Sequence, residues 1–112
     1  MGAPASSTHD AVFGAGRVVL VTLAAPREKF WGALLGISAA GVSIRGLELN
    51  SYEDAARQLR SGEAVAPSDV FFPMHRVERV ELDSSAGDLP SLADRFRSLS
   101  GCDAITFFGV EF

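Results

Sequence analysis

The hydrophobic pattern divides the chain into short apolar runs separated by turn residues, with only two stretches of helical spacing. From Val18 to Leu23 the residues are Val-Val-Leu-Val-Thr-Leu, a β-branched run ended by Ala24-Ala25-Pro26, which predicts a first strand. A charged turn, Arg27-Glu28-Lys29, leads to a second strand over Phe30 to Ser38, where Gly32 and Gly36 interrupt the side-chain pattern as residues do at a bulge or bend. After Ala39-Ala40-Gly41, the apolar positions Val42, Ile44 and Leu47 carry a third strand towards Leu49. The period then changes. Tyr52, Ala55, Ala56 and Leu59 fall at i, i+3, i+4 and i+7, which predicts a helix capped by Ser51, with Glu53 and Asp54 in its first turn and Gly62 at its exit.

Val70 to Asp83 returns to strand character. An apolar strand runs into a tight turn marked by Pro73, and a second strand leaves with Val77, Val80 and Leu82 set among Glu78, Arg79 and Glu81. Strand, one-turn corner, strand is how small barrels close. A Ser-Ser-Ala-Gly turn follows, then Pro90 at a helix start, Leu92, Phe96 and Leu99 on one side, and Gly101 as the stop. The expected fold is therefore mainly β with helices (α+β): a small antiparallel barrel, a helix inserted between strands three and four, and a C-terminal helix. Residues 1–15, small and polar, read as a disordered leader; residues 16–101 form one domain. Residues 102–112 are an apolar tail containing Phe107, Phe108 and Phe112, able to add a strand to a sheet edge of its own or of a partner.

Composition fits one soluble domain: 112 residues, 47% hydrophobic and 21% charged. Ten Lys and Arg against fourteen Asp and Glu leave a net charge of −4, the reverse of the basic face that phosphate binding needs. The lone Cys102 cannot form an internal disulfide, no apolar run is long enough for a membrane span, and the cytoplasm is the expected compartment. Met1 to Ser6 formally matches a myristoylation pattern, though residues this small match it by chance.

Candidate chemistry is sparse. His75 has no carboxylate neighbour to orient its ring and no second ligand at helical spacing, so it reads as a structural histidine that hydrogen-bonds the corner where the two strands meet. Cys102 lacks an adjacent positive charge that would activate a thiolate. Gly36-Ile37-Ser38-Ala39-Ala40-Gly41 has one residue too many for a nucleophile elbow, and Gly14-Ala15-Gly16 lacks the rest of a dinucleotide motif. No catalytic, metal or cofactor residue is assigned. Arg76 and Arg79 could grip an anion or acidic partner, but Glu78 and Glu81 interleave with them. Phe30, Trp31, His75, Arg76, Arg79, Phe107, Phe108 and Phe112 are the candidate partner-binding positions.

The order of elements from Arg17 to Asp83, with the Phe30-Trp31-Gly32-Ala33-Leu34-Leu35-Gly36-Ile37 strand and the Pro73-Met74-His75-Arg76-Val77 corner, resembles the Sm-like family, including its bacterial Hfq-like branch. Gly32, Leu34 and Ile37 match that family's first motif; His75 and Val77 match the His and Ile of the bacterial corner. The resemblance implies an SH3-like or Sm-like barrel, symmetric self-association and RNA binding. Ser38, Val42 and Met74 stand where the family carries an aspartate, an RNA-contacting asparagine and a lysine, and the family's N-terminal helix is missing. With the acidic balance, those departures rank a non-enzymatic protein-interaction or regulatory module, self-associating as a homo-oligomer, above an RNA-binding protein.

Overall fold

The computed structural model describes residues 12–110. Five strands form one antiparallel sheet: β1 (Val18–Leu23), β2 (Glu28–Ile37), β3 (Gly41–Glu48), β4 (Ser68–Pro73) and β5 (Val77–Leu82). Their order is β4-β3-β2-β1-β5, so β4 and β5 are the two edges. Three α-helices accompany the strands: α1 (Tyr52–Arg60) between β3 and β4, then α2 (Leu92–Ser100) and α3 (Ala104–Phe108) after β5. No helix among the described residues is long and apolar enough to cross a membrane.

The alternation of each strand builds two cores, one per face of the sheet. The inner face collects Val19, Val21, Leu23, Leu34, Val42, Ile44 and Phe72, with the Phe30 ring tilted against that of Phe72 at 4.8 Å between centroids. The outer face collects Trp31 and Ala33, and the helices lay Tyr52, Ala56, Phe96, Ala104 and Phe108 over them. Trp31 is wholly buried, with its ring centroid 5.1 Å from Tyr52, 5.1 Å from Phe96 and 4.8 Å from Phe108. Its indole N–H donates to Asp83 Oδ2 at 3.1 Å. The Asp83 carboxylate also accepts the Leu92 and Ala93 backbone N–H groups, both at 2.8 Å, so it ties β2, the end of β5 and the start of α2 together. Ser91 adds the side-chain cap of α2, accepting from the Asp94 N–H at 3.0 Å.

The sheet is strongly curled. Four gaps between strands would separate flat edges by about 19 Å, yet β4 and β5 are joined by the single three-residue 3₁₀ turn Met74–Arg76. Gly32 and Gly46, paired across β2 and β3, make the bend: a Cβ on Gly32 would overlap the Arg45 carbonyl oxygen, and one on Gly46 the Trp31 carbonyl oxygen. The extra residue Leu35, where the β2–β3 register shifts between Leu34 and Gly36, adds to the curl.

Three expectations need correction. The sheet does not close into a barrel: among the described residues no ladder joins β4 to β5, and the ladders end at β3 and β1 respectively. Ser51 does not cap α1 with its hydroxyl, because the chain enters the helix through a 3₁₀ turn (Leu49–Ser51) that already holds Ser51 at φ −95°, ψ −2°. The apolar tail is not a strand. Asp103 Oδ1 accepts the Ile105 N–H at 3.2 Å and Gly109, at φ 63°, ends the turn, so the segment forms α3 and seats Ala104 and Phe108 on the Trp31 cluster. The domain therefore runs on to Val110; the leader expected over residues 1–15 lies outside the described residues up to residue 11.

Because backbone atoms oppose a side chain at the Gly32–Gly46 crossing, Gly46→Ala should lower stability by roughly 2 kcal/mol in urea unfolding. Gly36→Ala, with no atom within 4 Å of its Cβ, should change it by less than about 1 kcal/mol.

Candidate interaction surface

The corner between β4 and β5, with the two strand edges it joins, gathers the exposed groups of interest. β4 arrives through Val70, Phe71 and Phe72; alternation turns Phe72 into the inner core and leaves Phe71 outside, 54% exposed. Pro73 fixes an extended backbone at φ −59°, ψ 143° and the chain drops into the Met74–Arg76 turn, whose entry is held by the Met74 N–H donating to the Ala40 carbonyl at 2.9 Å.

The three turn residues do different work. Met74 lies over an apolar cavity of about 280 Å³ that opens at the inner face and is also lined by Phe13, Ile37, Val42, Val77 and Val80. His75, expected to hydrogen-bond the corner, instead points to solvent, and among the described residues its side chain engages no hydrogen bond or ion pair. Arg76 clamps the fold: its guanidinium donates to the Ala25 carbonyl at 3.2 Å and to Glu28 Oε1 at 2.7 Å, while its own carbonyl accepts the Ala24 N–H at 2.8 Å. Those three bonds fasten the corner to the β1–β2 hairpin. Thr22 pairs with Arg79 and Leu23 with Val77, so Glu78 is an extra residue at a bulge beside that junction.

Beyond the bulge, Arg79 and Glu81 share the outer face of β5 and are 61% and 39% exposed. Arg79 Nε lies 2.8 Å from Glu81 Oε2, but the groups are not aligned as donor and acceptor, and that oxygen, itself buried, has no hydrogen bond among the described residues. On the other edge, Asp69 is bonded by Arg45 Nε at 2.6 Å, and the same guanidinium reaches the Phe108 and Gly109 carbonyls at 3.4 Å, at the C-terminal end of α3. The Arg45 contact holds the Asp69 carboxyl below the usual carboxylate range. Tyr52, buried beneath α2 with its hydroxyl donating to the Leu92 carbonyl at 2.6 Å, has its pKa pushed up to about 12 by burial.

The aromatic candidates mostly face inward. Trp31 and Phe108 have no surface to offer, and Phe107 is half-buried against Phe96 at 5.1 Å. Phe30 is half-buried against the inner core. Phe112 lies outside the described residues. The structure brings His75 and Arg79 to the surface around the corner, and it turns Arg76 inward as a clamp. Sequence reasoning passed over Phe71, Met74 and Ile37, which are 54%, 37% and 38% exposed. The signal was there for Phe71, since the period of two forbids Phe71 and Phe72 from facing the same side.

Among the described residues no three His, Cys, Asp or Glu side chains come together as they would around a metal ion. Compared with known protein families, curated proteins and solved structures, the chain has no match in any of the three.

Since Arg76 bridges elements and the His75 side chain is exposed, Arg76→Ala should lower stability by about 1–2 kcal/mol, whereas His75→Ala should change it by less than about 0.5 kcal/mol. Urea unfolding followed by the fluorescence of the single Trp checks both.

Proposed function

We propose that this chain is a non-enzymatic interaction module of Sm-like or SH3-like design, a small barrel completed by its partners, that binds protein and associates with itself through its strand edges. The observation that carries the reading is the pair of unladdered edges, β4 and β5, flanking an exposed apolar corner at Phe71 and Met74. An edge strand presents a row of unpaired N–H and C=O groups, and another strand satisfies them most directly. The strand order and the one-turn corner between the edges are further support for the Sm-like likeness.

RNA binding, the alternative, draws on one specific feature, the exposed His75 at the corner. Against it stand the net charge of −4 and the engagement of Arg45 and Arg76 with carboxylates of their own chain. Their guanidinium groups are thereby withdrawn from phosphate.

Light scattering on the full chain should report a homo-oligomer at tens of micromolar, and single-stranded U-rich or A-rich RNA should not be retained at physiological salt. A strict monomer would remove the self-association reading. Low-micromolar RNA affinity that falls steeply with added salt and is lost in His75→Ala would put the RNA reading first.

A further inference from the structure

The two free edges are not equivalent. On β4, the Met74 N–H bonds the Ala40 carbonyl, so by alternation even-numbered residues face β3, and Asp69, Phe71 and Pro73 face the open side. Pro73 has no N–H to offer there, which blunts that edge. On β5, the Asp83 N–H bonds the Val18 carbonyl at 2.9 Å, so Asp83, Glu81 and Arg79 face β1 through their backbone, while Val80 and Leu82 turn N–H and C=O to the open side. Past the Glu78 bulge, β5 thus offers the donors and acceptors of Val80 and Leu82 without a proline among them.

We infer that β5 pairs with β5 of a second copy, antiparallel about a two-fold axis through Val80, and that the Arg79 and Glu81 side chains set this register. The inference rests on the self-association proposed above and names its surface. Antiparallel pairing places residues that face the open side opposite one another, so the axis must pass through a residue, not between two. An axis through Arg79 sets Arg79 against Arg79 of the second copy, and one through Leu82 sets Glu81 against Asp83; one through Glu81 sets Glu81 against Glu81 and Arg79 against Asp83, whose carboxylate is already engaged by the Trp31 indole and the start of α2. All three juxtapose like charges. The axis through Val80 instead sets Arg79 opposite Glu81 of the second copy, and does so twice.

The geometry of that register favours the pair. Val80 exchanges two backbone hydrogen bonds with Val80 of the second copy. Arg79 and Glu81 then occupy non-hydrogen-bonded positions, where cross-strand side chains come closest. The Arg79 and Glu81 side chains are 61% and 39% exposed, so each is within reach of its opposite number across the seam. On the inner face, Val80 and Val77 line the apolar cavity beside β5, so the same axis brings the two copies' apolar walls together.

A mixing experiment tests this. In sedimentation velocity of the full chain, Arg79→Glu alone and Glu81→Arg alone should each weaken self-association by about tenfold or more, since every reversal turns two attractive pairs into repulsive ones. An equimolar mixture of the two variants should associate about as tightly as the wild type, because both acidic side chains of one variant then meet the two arginines of the other across the seam. Should a reversal fail to fold by circular dichroism, Arg79→Gln and Glu81→Gln remove the charges without opposing them, and each should weaken association by about threefold. Undiminished association of the single variants, or no recovery on mixing folded ones, overturns the β5 pairing and leaves association through another edge standing. A wild type that is monomeric at every concentration overturns both.

Discussion

The burial of one indole organises this molecule. Trp31 lies on the outer face of the central strand β2, and its burial requires both a covering for the ring and an acceptor for the N–H. The covering is aromatic: Tyr52 from α1, Phe96 from α2 and Phe108 from α3. The acceptor is Asp83, which also terminates the free N–H groups of α2. All three helices are therefore positioned by one side chain and its hydrogen bond. Removing a buried aromatic of this kind typically costs about 3–5 kcal/mol, a large share of the roughly 5–15 kcal/mol that keeps a domain folded.

With the outer face closed by helices, the inner face has to bury itself by curling. The Gly32–Gly46 crossing, where neither strand has room for a side chain, allows the backbones to approach and the sheet to bend. Bending brings β4 and β5 close enough to be joined by Met74–Arg76, and Arg76 locks that junction to the β1–β2 hairpin. The edges meet at the corner without pairing along their length. Phe71, Met74 and Ile37 are consequently exposed around the corner, between the two strand edges where the proposed contacts lie.

Much of this was legible in the residues. Val18–Leu23 is a strand on composition alone, the spacing of Tyr52, Ala55, Ala56 and Leu59 marks α1, and Gly101 ends α2 with φ 76°. Local signals of that kind need no partner. The failures were long-range. Whether β4 reaches β5 depends on the total curl of four ladders, which no window of sequence contains. The segment Ala104–Phe108 is rich in β-formers and too short to be a helix unaided; docking on Trp31, far away in sequence, overrides its propensity. Arg76 looked like a surface cation because Glu28, its counter-ion, is 48 residues away. Glu78, an extra residue at a bulge, could not be separated from the regular alternation around it.

The central claim is that the Trp31 indole is sealed between sheet and helices with its N–H held by Asp83. Native-state hydrogen exchange of that single indole proton, resolved by NMR, measures it directly. The account predicts protection comparable to the slowest backbone amides of β1 and β2, released only on global unfolding. Exchange at the rate of a solvent-exposed indole, in a protein that is otherwise folded, would contradict it.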